Sequence, residues 1–370
     1  MVDKLTIEGF KSIRELRDFE LRPLNVLIGA NGAGKSNFVG FCRLLRELVE
    51  QRLQVTINTE GGADACLYMG PKITKQFAAK IAFDGSGYEF ALMPTADNEL
   101  VFVEEMIVSH DPLQSRRFLL GQKEATLKDR KADHPAAYLL FSAISGLAVY
   151  HFHDTSLLAG VRRQGPLNDN EHLRPSAENL AAFLYRIKQT SADSYAQIRD
   201  VVRLAAPFFD DFKLRPWPTD TNRIQLEWTQ TDSDYLFRAH QLSDGTLRFI
   251  CLATALLAST TASTIVFDEP ELGLHPYALS LLGALFRQAA EGGKQVIIST
   301  QSALLVDEFS PEDVIVVERS RGESLFRRLK TAELSEWLDE YSLGELWQKN
   351  VLGGRPREES LPQLVSDSDS

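Results

Sequence analysis

Cysteine is scarce in this chain of 370 residues, and the three that occur form no C-x-x-C pair: Cys42, Cys66 and Cys251. Neither a disulfide framework nor a zinc site is therefore indicated, and we expect buried, reduced thiols. Long apolar runs are also missing, since the longest, residues 249–258, is about half of the ~20 residues that span a bilayer. The N-terminus is charged and lacks the apolar core of a signal peptide. We expect a cytoplasmic protein without a membrane partner.

The chain also lacks an excess of positively charged residues. The chain has 40 Lys and Arg against 51 Asp and Glu, a formal net charge of −11, which argues against a surface that binds nucleic acid throughout. Only a local basic patch could then touch DNA, and four arginines are candidates, although a solvated basic face is the favoured interpretation: Arg116, Arg117, Arg162 and Arg163. The chain shows no internal repeat and no heptad run long enough for a coiled coil.

What the sequence does contain is a phosphate-binding loop. An apolar run, residues 25–28, leads into a stretch that fits G-x-x-x-x-G-K-[ST], namely Gly29-Ala30-Asn31-Gly32-Ala33-Gly34-Lys35-Ser36. Such glycines turn backbone N–H groups inward, and the helix that begins there points its positive dipole end at the anion. Lys35 would hold the β- and γ-phosphates of ATP, and the Ser36 hydroxyl would coordinate Mg²⁺. The other residues predicted to bind the nucleotide here are Asn31, Gly32, Ala33, Gly34 and Asn37.

A pair of carboxylates is predicted to supply the second half of the nucleotide site. Residues 264–270 form an apolar strand that ends in Asp268 and Glu269, and ligands of open parallel sheets bind at such carboxyl ends. Asp268 is suited to Mg²⁺ coordination. Glu269 is suited to act as the general base that orients and deprotonates the attacking water.

Hydrophobic periodicity predicts an α/β fold with a mixed or parallel sheet, an antiparallel β subdomain and an inserted, partly helical lobe. An opening strand is expected over residues 5–13, and residues 76–120 are typical of an antiparallel meander. The last third alternates helices and strands through residue 317. The predicted division is a nucleotide-binding head (1–75 and 206–330), the meander with the inserted lobe (76–205), C-terminal helices (331–353) and a disordered tail (354–370).

Three further stretches carry a family resemblance. Residues 241–248, QLSDGTLR, resemble the signature motif of ABC-type ATPases, usually Leu-Ser-Gly-Gly. Residues 271–276, ELGLHP, resemble the D-loop of the SMC and RecF branch, and Gln301 stands where that family has its switch residue, commonly His. Together with the nucleotide motifs, in this order, they make the chain similar to RecF-like or OLD-like AAA family ATPases with an ABC-type head.

The resemblance implies an ATPase with ATP and Mg²⁺ as cofactors and with Lys35, Glu269 and Gln301 as its catalytic residues. It also implies that Ser243 and Gly245 bind the nucleotide of a second copy, so that ATP joins two subunits. Residues 150–156 and 176–184 are also similar to stretches of that group.

Two departures from the family pattern affect these expectations. Asp244 replaces the first signature glycine and should weaken closure unless it points away or caps the following helix. Gln301 can hydrogen-bond a phosphate but cannot carry a proton. The glutamine loop of ABC enzymes has only two weak candidates, Gln122 and Gln164.

The histidines of the His151-Phe152-His153-Asp154 stretch have two interpretations. At strand spacing both imidazoles lie on one face and could bind a metal. A hydrogen-bonding role at a strand end is favoured.

The spacing of the motifs helps to distinguish a transporter ATPase subunit, an SMC protein with a long coiled coil and a protein with its own nuclease domain. Lys35 and Ser243 lie much farther apart than in transporter ATPase subunits, so an inserted lobe is present, too short and too β-like for a long SMC coiled coil. Residues 314–318 superficially resemble the strand and glutamate that open a TOPRIM nuclease. The only later Asp-x-Asp is Asp367-Ser368-Asp369, so Glu318 is interpreted as the polar end of a closing strand.

We therefore expect an ATP-hydrolysing switch that dimerises on ATP and acts in DNA repair or phage defence. A separate effector would dock on the inserted lobe or on the C-terminal helices. The alternatives are an ATP-dependent scaffold or regulator and the ATPase subunit of a transport-type complex.

Overall fold

The computed structural model describes residues 1–109, 115–118, 120–258 and 262–354. The strands within these ranges are β1 Lys4–Phe10, β2 Ile13–Glu20, β3 Leu24–Ile28, β4 Phe77–Phe83, β5 Ser86–Pro94, β6 Leu100–Ser109, β7 Arg116–Arg117, β8 Leu147–Tyr150, β9 Gly165–Pro166, β10 Phe209–Phe212, β11 Pro216–Trp217, β12 Asp220–Ile224, β13 Glu227–Gln230, β14 Leu236–Arg238, β15 Thr264–Asp268, β16 Gln295–Ser299, β17 Val314–Ser320 and β18 Glu323–Arg328. The helices are α1 Lys35–Val49, α2 Leu53–Thr59, α3 Ala63–Cys66, α4 Leu127–Arg130, α5 Pro135–Ser145, α6 Leu180–Thr190, α7 Ala192–Ala205, α8 Asp244–Leu257, α9 Pro276–Glu291, α10 Ala303–Val306, α11 Thr331–Leu338 and α12 Leu343–Gln348.

A mostly parallel sheet lies at the centre of the molecule. Its strand order is β18-β17-β3-β16-β15-β8, and only the edge strand β18 runs antiparallel to its neighbour. Alternate residues of each strand face opposite sides. Val266 and Ile297 pack in the same core as Phe38 of α1, whereas Phe267 and Ile298 pack in the core of α8 and α9. The sheet is thus covered on both faces, as expected for parallel strands.

An antiparallel sheet, in the order β2-β1-β4-β5-β6-β7, packs on the other side of α1. Its apolar face contributes Phe10 and Phe77, whose rings contact Phe41 of α1. The predicted meander is therefore present. Because β1 pairs with β4 from Lys4 opposite Ala82 onward, this sheet extends across the predicted domain boundary at residue 75.

Two small three-stranded sheets, β10-β13-β14 and β11-β12-β9, lie mostly beyond residue 205, where the predicted inserted lobe ends. The lobe itself is partly helical, as predicted, with α7 packed on α8 and α6 packed on α7. One of its strands does not stay in the lobe: β8 forms the edge of the central sheet beside β15. The division into domains by sequence ranges remains a prediction, but the contacts of β1 and β8 join the ranges.

Several elements differ from the expected ones. The single opening strand is a hairpin of β1 and β2, in which Lys11 turns the chain with a φ of +48°. Helices α2 and α3 and the edge strand β18 were not predicted, and each is short, with seven, four and six residues respectively. Residues 355–370 of the predicted tail lie outside the described residues. In the described part of the chain, no helix is both long and apolar enough to cross a membrane.

Candidate functional site

The phosphate-binding loop connects β3 to α1, and its glycines are required by its shape. Gly29, Gly32 and Gly34 have φ angles of +150°, +77° and +114°, a region that side chains disfavour. A Cβ on Gly34 would overlap the Ser324 hydroxyl, and one on Gly29 would overlap the carbonyl oxygen of Val317. The space around Gly32 is open. The loop therefore lies tightly against β17 and β18 and is open on its outer side.

Lys35 lies inside this loop and is only 4% exposed. Its Nζ donates to the carbonyl oxygens of Gly29, at 2.6 Å, and Ala30, at 3.1 Å. Burial lowers the pKa of the ammonium, while the nearby carboxylates of Glu269, Asp268 and Glu271 act in the opposite direction. The lysine thus brings a positive charge to the loop, in the field of three carboxylates.

A chain of hydroxyls holds the start of α1. The Asn37 amide donates to Ser12 Oγ at 2.6 Å, Ser12 and Ser324 share a hydrogen bond of 2.6 Å, and Ser324 donates to the carbonyl oxygen of Ala33 at 2.6 Å. Ser36 is exposed in the first turn of α1. Asn37, predicted to bind the nucleotide, is engaged with Ser12 here and supports the loop. Ser12 and Ser324 carried no sequence signal, because each is a lone serine far from the loop in the chain.

The predicted acid pair lies at the carboxyl end of β15. Glu269 has a φ of +45°, and its N–H donates to the carbonyl oxygen of Ser299 at 2.8 Å. The Gln301 side-chain amide hydrogen-bonds the Glu269 carboxylate, and the Gln301 N–H donates to Glu271 Oε1 at 2.6 Å. The structure therefore brings together Glu269 and Gln301, which lie on neighbouring strand ends.

Four buried polar atoms at these strand ends have no hydrogen-bond partner: His151 Nε2, Asp268 Oδ1, Glu271 Oε2 and Ser299 Oγ. Buried polar atoms are almost always paired, so such a group indicates a place for a ligand. Burial also raises the pKa of Glu271. In the described ranges no three His, Cys, Asp or Glu residues form a cluster that could hold a metal. The donors fit Mg²⁺, which takes one or two carboxylates with water and phosphate oxygens.

The two histidines lie beside Asp268, and their rings also meet edge to face, with centroids 6.1 Å apart. His153 Nε2 lies 2.9 Å from the Asp268 carbonyl oxygen, and His151 Nδ1 lies 4.0 Å from Asp268 Oδ2. Burial lowers the pKa of His151. The hydrogen-bonding interpretation agrees with the geometry of His153. The signal that could have placed both residues here is the pairing of β8 with β15, which the sequence does not reveal.

The signature stretch lies at the start of α8. Ser243 caps this helix, because its Oγ accepts the N–H of Thr246 at 3.1 Å. A Cβ on Gly245 would overlap the carbonyl oxygen of Gly273 in the D-loop, so the glycine permits close contact between these segments. Asp244 does not cap the helix: its Oδ1 accepts from Arg162 Nη2 at 2.6 Å. The extra negative charge of Asp244 therefore has a partner.

Arg162 was expected on a solvated basic face, and that expectation is wrong. Its side chain is 3% exposed and donates to the carbonyl oxygens of Thr155 at 2.7 Å, of Leu242 at 3.0 Å and of Ala239. A second buried arginine, Arg248 of α8, donates to the carbonyl oxygens of three residues, Phe152 at 2.7 Å, His153 at 2.9 Å and Leu272. These two arginines connect the segment after β8 with the signature and the D-loop.

The two glutamine-loop candidates and Glu318 lie away from the acid pair. The backbone carbonyl oxygen of Gln122 accepts the N–H of Phe102 on β6, and that of Gln164 accepts from the Arg223 side chain on β12. Neither makes a hydrogen bond with the acid pair among the described residues. Glu318 accepts the N–H of Gly354 at 3.0 Å, so it fixes the end of the described chain.

The chain is similar to a known protein family and to a curated relative. Residues 24–307 match the family model AAA_21, described as "AAA domain, putative AbiEii toxin, Type IV TA system". A curated relative from Methanosarcina acetivorans, named "Putative ABC transporter ATP-binding protein", is 33% identical over 82 residues, which are 22% of this chain and 29% of that relative's length.

Two solved structures share the fold. An Smc head bound to the C-winged helix domain of ScpA has a TM-score of 0.62 at 15% identity, covering 90% of this chain and 99% of that one. An Smc head with an extended coiled coil, bound to the C-terminal domain of ScpA derived from Pyrococcus furiosus, has a TM-score of 0.59 at 15% identity, covering 92% and 98%.

These likenesses confirm the predicted α/β fold, which this chain shares with the two Smc heads. Because the family model matches well over half of the chain, the protein belongs to the AAA_21 family of ATPases.

Proposed function

We propose that the protein hydrolyses ATP to ADP and phosphate with Mg²⁺ as its cofactor. The observation that carries this proposal is the arrangement of the phosphate-binding loop opposite a strand end with unpaired buried polar atoms. ATP would bring phosphate oxygens to the N–H groups of residues 31–37 and to Lys35, which would leave its present carbonyl partners. Mg²⁺, when bound at Ser36 and Asp268, would offset phosphate charge.

In this proposal Glu269 accepts the proton of the attacking water as the oxygen bonds to the γ-phosphorus and the bond to ADP breaks. Gln301, hydrogen-bonded to Glu269, orients that carboxylate. Phosphate release from ATP by the purified protein tests the activity. Lys35→Ala should abolish it, whereas Lys72→Ala, at an exposed lysine outside the site, should not. Equal phosphate release by Lys35→Ala would contradict the proposal.

We further propose that ATP joins two copies of the chain. Ser243 is exposed at the start of α8, and the helix N-terminus offers N–H groups to an anion. In a two-fold arrangement, Ser243 and Gly245 of each copy would complete the other's nucleotide site. Light scattering on Glu269→Gln with ATP and Mg²⁺ should show a dimer that Ser243→Arg abolishes. A persistent monomer of Glu269→Gln at saturating ATP would refute this arrangement.

The output is proposed to be a switch in DNA repair or phage defence that acts through a separate effector protein. The fold relatives that support a partner are Smc heads bound to ScpA domains. On this chain the half-exposed Trp337 of α11 offers apolar area for docking, whereas Arg117, a candidate for DNA contact, is exposed but pairs with Glu104. A transport-type complex is the alternative suggested by the name of the curated relative.

Incubation of the purified protein with ATP, Mg²⁺ or Mn²⁺ and single- or double-stranded DNA tests the need for an effector. The expected result is ATP hydrolysis without strand cleavage. Cleavage that survives Glu318→Ala and deletion of the tail, yet vanishes in Lys35→Ala, would reveal a nuclease site in this chain and contradict the proposal.

A further inference from the structure

Three polar residues form a row across neighbouring strands of the central sheet. In the parallel pairing, Tyr150 of β8 lies opposite Phe267 of β15, and Asp268 lies opposite Ser299 of β16. One residue beyond Tyr150, His151 continues the same register toward Asp268. Residues opposite each other in a sheet place their side chains on the same face. His151, Asp268 and Ser299 therefore share one face.

That face is the one covered by α1. Two residues earlier in each strand are Val149, Val266 and Ile297, which all pack in the core that contains Phe38 of α1. The row continues this face beyond the apolar core, at the carboxyl ends of the strands. Helix α1 begins at Lys35, directly after the phosphate-binding loop, with Ser36 exposed in its first turn.

Each member of the row has a buried polar atom without a partner: His151 Nε2, Asp268 Oδ1 and Ser299 Oγ. The neighbouring histidine differs, since His153 is engaged with the Asp268 carbonyl oxygen. The 4.0 Å between His151 Nδ1 and Asp268 Oδ2 is too long for a hydrogen bond but suits a bridging water. An imidazole nitrogen and a hydroxyl can both accept hydrogen bonds from such waters.

We propose that His151 and Ser299 are positioning residues that hold the water shell of Mg²⁺ at Asp268. This inference rests on the proposed ATPase function. Mg²⁺ keeps several of its waters in proteins, and residues that hydrogen-bond the ligands of a metal fix their orientation. His151, after β8, and Ser299, at the end of β16, thus have a proposed role that the sequence motifs do not assign to them.

The test is the Mg²⁺ dependence of nucleotide binding. A fluorescent, non-hydrolysable ATP analogue is titrated in EDTA and across a series of Mg²⁺ concentrations, with circular dichroism as a check on folding. His151→Ala and Ser299→Ala should bind the analogue normally in EDTA but need about 10–100-fold more Mg²⁺ for half-saturation, the usual cost of losing such a supporting residue. His151→Asn, which keeps a polar side chain, should recover part of the loss.

The matched control is His172→Ala, which removes an exposed histidine outside the row. Half-saturating Mg²⁺ equal to that of the parent in both folded alanine variants would overturn the inference. If His151→Ala does not fold, His151→Asn and Ser299→Ala decide the question by the same criterion. The proposed function fails separately, if the parent does not bind the analogue or if Lys35→Ala binds it equally well.

Discussion

Replacing Arg162 by methionine should destabilise the fold strongly, although the residue lies outside every recognised motif. The guanidinium is 3% exposed and supplies the hydrogen bonds of three backbone carbonyl groups and of Asp244. Methionine can fill the space but leaves these acceptors without donors, at about 1–3 kcal/mol for each buried carbonyl group. The ion pair itself adds at most ~1 kcal/mol, because the Asp244 side chain is 66% exposed. Allowing for relaxation around the three carbonyl groups, we expect a loss of about 3–5 kcal/mol.

Urea denaturation at neutral pH measures this loss, as a lower midpoint with an unchanged slope. The control is Arg163→Met at the exposed neighbouring position, which should change the free energy of unfolding by less than ~0.5 kcal/mol. Asp244→Asn, which removes only the exposed partner's charge, should cost ~1 kcal/mol or less. If Arg162→Met costs no more than Arg163→Met, the hydrogen bonds of the guanidinium do not hold the signature segment, and the reasoning is wrong.

Three further predictions concern the nucleotide site and the β subdomain. Glu269→Gln should keep ATP binding and lower turnover by about 10²–10⁴, as for a lost general base, and an unchanged kcat would remove Glu269 from that role. Gly34→Ala should weaken binding of an ATP analogue far more than Gly32→Ala, because only the former overlaps Ser324; equal affinities would contradict this. Burial raises the pKa of Glu105, so its contribution to stability is full below about pH 4.3 and is lost as pH rises through the raised pKa. Urea titrations should show a shallower decline with rising pH in Glu105→Gln, and parallel pH profiles would refute this.

The parts of the site that the sequence predicts are those encoded in consecutive residues. The phosphate-binding loop and the Asp268-Glu269 pair are readable because glycine conformation and a strand followed by carboxylates are local properties. The structure places both at one edge of the sheet and adds Gln301, whose position after the next strand followed from the family resemblance. The parallel sheet was predictable for the same reason, since strand and helix alternate along the chain.

Contacts that depend on strand order could not be predicted in this way. The sequence does not state that β8 lies beside β15, so His151 and Asp268 are unrelated until the sheet is assembled. Arg162 was misjudged because an arginine in a polar loop is usually exposed, whereas here three carbonyl groups converge on it. The hairpin β1–β2 was reduced to one strand because its turn at Lys11 has no glycine.

The contacts that support the phosphate-binding loop also extend beyond residues 24–307, the region that the family model matches. Ser12 and Ser324, on either side of that region, join Asn37 to the carbonyl oxygen of Ala33. From the end of the described chain, Gly354 accepts the N–H of Ala30 at 2.8 Å. A fragment limited to residues 24–307 would keep every recognised motif but lose these three supports of the loop. The recognisable motifs therefore indicate the proposed chemistry, while the segments before and after them hold the phosphate-binding loop in its shape.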